Sequence, residues 1–167
     1  MDVALSDPRK ACRSRRFAAG VAWMVSLLGL LTASCGPYPR DIEGSFDRIG
    51  TSKVIRVGVV EGSIRPTNSA VATAYLRRLR AATGATPRIT SGSSEPLLAS
   101  LETGDLDLVI GEFALDSPWN TQATLIEPIA ERTVGDRPIG LSPIARNGEN
   151  RWIMVLEREV RDLKAGE

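Results

Sequence analysis

The 167-residue chain predicts a three-layer α/β domain with a mainly parallel sheet. Two observations carry that expectation. From Val54 onward the pattern runs strand, helix, strand, helix, strand within about sixty residues, an alternation that calls for parallel strands joined by right-handed crossovers. The first of these strands, Val54 to Val60 (VIRVGVV), is apolar and β-branched apart from Arg56 and Gly58, as a strand covered by helices on both faces is.

The elements follow in order. Glu61 to Pro66 reads as a loop, and Asn68 can cap a helix running to about Thr83. Val71, Tyr75, Leu79 and Ala82 fall on its apolar stripe, while Arg77, Arg78 and Arg80 point elsewhere, as a solvated face or a docking patch. Gly84 ends the helix, and Pro87 to Thr90 forms the second strand. The run Ser91 to Pro96 opens a second helix, with Pro96 in its first turn and Leu97, Leu98 and Leu101 inward. Gly104 closes it, and Asp105 to Ile110 forms the third strand, with Leu106 and Val109 in the core. In parallel sheets ligands sit beyond the carboxyl ends of the strands. Those ends are Glu61 and Gly62, Ser91 to Ser94, and Gly111 with Glu112. The serine-rich turn offers N–H groups and hydroxyls to an anion, or serves as a plain helix cap.

The segment ahead of this domain is of another kind. Residues 1–34 carry Arg9, Lys10, Arg13, Arg15 and Arg16 against Asp2 and Asp7, which leaves 16 basic and 18 acidic residues, a net of −2, in the remainder. An uncharged run, Phe17 to Leu31, follows; its length suits the hydrophobic region of a signal peptide, whereas a spanning helix wants about 20 apolar residues. Leu31-Thr-Ala-Ser-Cys35 then places small residues before a thiol, and this run resembles the lipobox of bacterial lipoproteins. The resemblance implies cleavage before Cys35 and attachment of a diacylglycerol to it, with palmitate as the expected label. An uncleaved anchor and an ordinary secretory signal are the other readings. Ser14 to Phe17 falls one residue short of a twin-arginine spacing. Gly36 to Ser52, rich in Gly, Pro, Ser and charge, reads as a tether. The expected division is therefore 1–34 export signal, 35–52 lipidated tether and 53–167 α/β domain. Gly36 stands where lipoproteins kept in the inner membrane commonly have an aspartate, so the resemblance implies an exported protein anchored to a membrane facing the periplasm, the outer membrane if the host has one.

Composition excludes much chemistry. The net charge is +1, so no global field recruits nucleic acid. There is no histidine, and the two cysteines, Cys12 and Cys35, are spent on the signal and the lipid, leaving no disulfide. Zinc sites, histidine acid–base chemistry and thiol nucleophiles are out, and no cofactor is expected. A carboxylate-only enzyme using Glu61, Glu112 and Asp116 is the remaining enzymatic reading.

Val54 to Val59 together with SGSSEPLLASLETGDLDLVIGEF resembles the first lobe of the family 3 periplasmic solute-binding proteins, the substrate-binding components of ABC transporters. The likeness covers roughly Val54 to Pro128, with a weaker echo from Ile139 to Leu163, and implies a type II periplasmic-binding-protein-like domain. In the family the chain crosses to a second lobe and returns. Here only Ala130 to Pro138 separate the approach, Ile126 to Ile129, from the returning strand, Ile139 to Ala145, so the second lobe is expected to be missing. A closing helix from Gly148 to Leu163 buries Trp152, Leu156, Val160 and Leu163. The family's amino-acid binders carry a carboxylate-binding arginine several residues after the glycine ending the third strand. Gly111 to Asn120 has none, and Glu112 and Asp116 are expected to repel a carboxylate. The resemblance thus implies a non-enzymatic relative with an open cleft that docks a transporter permease or another envelope protein. The alternative is a component that captures a small polar solute, its cleft completed by a second copy or a partner. The expected site residues are Cys35 for lipid, and Glu61, Ser91, Ser93, Ser94, Gly111, Glu112 and Asp116 for ligand.

Overall fold

The computed structural model describes residues 39–114 and 123–166. The signal segment, Cys35 and Asp116 lie outside the described residues. Helix α1 (Ser45–Ser52) leads into strand β1 (Val54–Val60), followed by α2 (Ser69–Thr83), β2 (Thr86–Gly92), α3 (Ser94–Glu102), β3 (Leu108–Ala114), β4 (Ala123–Leu125), β5 (Ala130–Val134), β6 (Arg137–Arg146) and α4 (Asn150–Ala165). The strand order is β2-β1-β3-β6-β4, with β5 also paired to β6. Both pairings of β1, with β2 and with β3, are parallel, as the strand–helix alternation requires. All three pairings of β6 are antiparallel, so the sheet is mixed.

Helices cover both faces. On one, Ile55, Val57, Leu108, Ile110 and Leu141 pack under α2 and α4 through Tyr75, Leu79, Trp152, Leu156 and Val160. On the other, Leu97, Leu98 and Leu101 of α3 meet Val109, Phe113 and Ile144. Gly58 permits the close approach of α3: a Cβ there would lie 2.8 Å from a Leu106 methyl and 3.2 Å from Leu97. Burying these apolar faces supplies the main driving force for the three layers.

Several expectations are corrected. The stretch read as tether is folded from Asp41 onward. Asp41 bridges Glu149, and α1 buries Ser45 and Ile49 against the domain. The Asp41 carboxylate accepts the backbone N–H groups of Phe46, Arg151 and Trp152, the last two at the start of α4. The fully buried Glu149 carboxylate in turn accepts those of Glu43 and Ser45 at the start of α1, each at 2.7 Å. Each helix start is thus satisfied by a carboxylate from the segment preceding the other. Composition misled here because the partners are more than 100 residues apart in sequence. Strand β3 begins at Leu108, three residues later than expected, because the N–H groups of Asp105 and Leu106 still turn back to Ser100 O. Strand β2 runs on to Gly92, and Ala82 is exposed while Ala72 joins the buried stripe of α2.

Between β5 and β6 the chain makes a two-residue turn, Gly135 and Asp136, flanked by the pair Val134–Arg137. Gly135 has φ 61°, the left-handed conformation that such tight hairpins need at a central residue. A connection this short can only join antiparallel strands, so β5 and β6 run in opposite directions.

Candidate functional site

The carboxyl ends of β1 and β3 meet the tip of the β5–β6 hairpin. Ile139 of β6 stands opposite both Ala114, the last residue of β3, and Arg132 of β5, so the hairpin tip extends past the end of β3. The loop from Glu61 to Asn68 closes the other side.

That loop is built by its own polar groups. The N–H of Ser63 donates to Val60 O at 3.1 Å, and the amide of Asn68 donates to Ser63 O at 2.9 Å. Asn68 Oδ1 accepts the N–H of Arg65 at 2.7 Å. Asn68 stands at the N-cap position, but its side chain orders the loop instead of capping α2. The N–H of Glu112 donates to Ser63 Oγ at 2.9 Å, which fixes the end of β3 to this loop.

The centre of the site is the Glu112 carboxylate. Arg132 grips it through Nε to Oε1 at 2.9 Å and Nη2 to Oε2 at 2.8 Å, a two-pronged geometry. Arg65 Nη2 donates to the same Oε2. The Glu112 side chain is 12% exposed, while those of Arg65 and Arg132 are 36% and 39% exposed. The hydrogen bond from Arg132 lowers the Glu112 pKa below the ordinary carboxylate value; partial burial opposes this, and the charges of both arginines reinforce it. Glu112 in turn raises the pKa of Arg132. A carboxylate held this way stays ionised and is a poor general base.

Two guanidiniums surround the charge of Glu112, which was expected to repel a carboxylate together with Asp116, a residue outside the described ones. Arg65 and Arg132 escaped the sequence reading because they lie 47 and 20 residues from Glu112, on a loop and a hairpin. Among the other expected residues, Glu61 is exposed and its N–H links the strand ends through Gly92 O at 2.9 Å. Ser91 is exposed on β2, Ser93 occupies the N-cap position of α3 without a side-chain cap bond, and Ser94 opens α3. No described hydrogen bond joins these serines to Glu112. Gly111 is buried in β3, where an added Cβ would lie 2.6 Å from the Phe113 ring. Among the described residues of the predicted set, only Glu112 takes part in the cluster.

A cavity of about 190 Å³ lies on the α3 face instead, lined by Glu95, Leu98, Leu101, Glu102, Ala123 and Arg146. Arg146 and Ala123 pair at the opposite end of the sheet from Glu112, so this cavity is separate from the strand-end cluster. Among the described residues no group of three or more His, Cys, Asp and Glu could hold a metal ion, and no helix is long and apolar enough to cross a membrane.

No protein-family model matches the sequence, and no curated protein matches it. Solved structures do resemble it. The Phe57Trp mutant of the arginine-bound form of domain 1 from TmArgBP is 18% identical, with a TM-score of 0.58 over 72% of this chain and 98% of that one. An amino acid ABC transporter substrate-binding protein from Streptococcus pneumoniae, bound to L-arginine, is 10% identical with a TM-score of 0.58, covering 73% and 92%. AncCDT-1, described as an ancestral amino acid-binding protein and a precursor of cyclohexadienyl dehydratase, is 11% identical with a TM-score of 0.56, covering 72% and 93%. Likenesses at this level of identity establish the fold: a mixed α/β domain of the periplasmic-binding-protein-like kind.

Proposed function

We propose that the chain is a non-enzymatic, exported lipoprotein, anchored through Cys35 on a membrane facing the periplasm, that docks a transporter permease or another envelope protein through the open carboxyl end of its sheet. One observation carries the reading: the strand-end cluster is built, yet its central carboxylate is already held by Arg65 and Arg132. The two-residue β5–β6 turn supports it too, because it leaves no place for a lobe inserted between those strands. Clamshell enclosure buries most of a small ligand, whereas a single wall suits a broad partner surface. The non-enzymatic part rests on the fixed charge of Glu112, which removes the most plausible acid–base group from the carboxylate trio.

Solute capture is the second reading, and one observation favours it. The neighbour from TmArgBP is itself a single domain in an arginine-bound form, so one wall sufficed for that protein to hold arginine. Native mass spectrometry of the chain released from its host membrane in mild detergent separates the readings. Docking expects a second polypeptide in the complex; a one-to-one adduct with a small polar solute, without a polypeptide, would replace it by solute capture.

A further inference from the structure

We infer that Arg65 and Arg132 form a receptor for a carboxylate-bearing ligand, with Glu112 as its resident, displaceable anion. This deepens the proposed function and rests on it for the working end of the domain.

Two guanidiniums converge on one oxygen, Oε2 of Glu112, so two positive charges are held together by a single negative one. Like charges brought this close disfavour each other unless anions balance them. Among the described residues neither arginine has another carboxylate partner. The cluster therefore carries an excess positive charge, at the sheet end where an α/β fold holds its ligands.

Donors are in excess as well. A guanidinium has five N–H donors. Arg132 directs Nε and Nη2 at Glu112, and Arg65 directs only Nη2. Arg65 Nε is buried with no hydrogen-bond partner, a state that costs free energy until an acceptor reaches it. Both side chains remain more than one-third exposed, so an incoming oxygen can approach them from solvent. The planar fork of arginine matches a carboxylate better than a point charge does.

Displacement needs little of the framework. The Glu112 backbone is fixed through Ser63 Oγ and the β3–β6 ladder, so its side chain can swing aside while the strand stays in place. An entering carboxylate takes over the Arg132 fork and brings an oxygen to the unspent donors of Arg65. The excess positive charge favours a ligand of net negative charge over the net cationic arginine held by the TmArgBP and pneumococcal neighbours, although arginine too bears a carboxylate. The ligand's carboxylate can belong to a free diacid or to an acidic segment of a protein.

The test is calorimetric titration of the full chain in detergent micelles with succinate, L-glutamate, hexaglutamate and, as a cationic control, L-arginine. The receptor predicts binding of at least one acidic probe and weaker binding of L-arginine, whose carboxylate is outweighed by its two cationic groups. Glu112→Gln removes the internal competitor and should tighten that binding about tenfold; Arg65→Gln and Arg132→Gln should each weaken it about tenfold. Arg132→Lys, which keeps charge without the fork, should fall between, and melting curves check that each variant folds. Binding of succinate or L-glutamate assigns a free solute; binding of hexaglutamate alone assigns an acidic protein segment; both support the receptor. Silence of all acidic probes with both the parent and Glu112→Gln overturns it. So does acidic binding that survives the double arginine substitution, or preferential binding of L-arginine. Acidic binding without any polypeptide in the native complex would remove the docking reading and leave the receptor standing; the reverse pattern would do the opposite.

Discussion

Asp107, just ahead of β3, is 3% exposed and stays charged through its neighbours. Burial pushes its carboxyl pKa up, but the hydrogen bonds from Arg56 and Arg48, the Arg56 backbone N–H and the Arg56 charge together outweigh that, and the net shift is downward. Its backbone oxygen also accepts the indole N–H of the buried Trp152 at 2.7 Å. A carboxylate with a depressed folded-state pKa contributes stability that is present above its unfolded pKa and is lost as pH falls through its folded one. Asp107→Asn should therefore cost about 1.5–3 kcal/mol at neutral pH and flatten the loss of stability below about pH 4; thermal melts across pH 2–7 check both effects. At this scale the sequence was half legible. Val109 could be placed in the core from strand pattern alone, whereas Glu112, expected beyond a strand ending at Ile110, lies within β3, which runs on to Ala114. The arginines that hold Glu112 and Asp107 could not, because Arg48 lies on α1, Arg56 on β1, Arg65 on a loop and Arg132 on β5, and only the tertiary fold brings them to these carboxylates.

Helices show what local pattern can and cannot carry. Helix α4 was readable because Trp152, Leu156 and Val160 recur at helical spacing and are fully buried. Helix α1 is eight residues with two large apolar side chains, Phe46 and Ile49, too short to stand alone in water. It exists through tertiary caps: the Asp41–Glu149 exchange, and Arg151, which lies 4.2 Å above the Phe46 ring and pairs with Asp47 at 3.1 Å. Glu149→Ala should leave two N–H groups unpaired in a buried setting and cost about 1–3 kcal/mol, lowering the melting temperature by several degrees. A chain beginning at Lys53 should be less stable than one beginning at Pro39, whereas a true tether there predicts equal melting temperatures. At the hairpin, Gly135→Val should destabilise by about 1 kcal/mol or more, since a β-branched residue is strained at φ 61°. Equal denaturation midpoints for parent and variant would refute that account of the turn.

For the molecule as a whole, the fold class was legible because strand–helix alternation dictates parallel pairing, and β1, β2 and β3 obey it. The antiparallel pairing of β6 with β3 lies beyond the strand–helix alternation, so a count of elements does not register it. The anchor is a matter for chemistry at Cys35. Labelled palmitate should enter the chain in a bacterial host and fail to enter Cys35→Ser, and equal labelling of the two would end the lipoprotein proposal. The central claim is that the carboxyl end of the sheet is the working surface. Photoreactive residues placed in living cells at Glu61 and Val134, both exposed at that end, test it against one at Met154, exposed on α4. The account predicts a defined crosslinked product from Glu61 and Val134, absent from Met154 and reduced by the Arg65→Gln, Arg132→Gln pair. Crosslinking from Met154 alone, or strand-end products indifferent to both arginines, would contradict it.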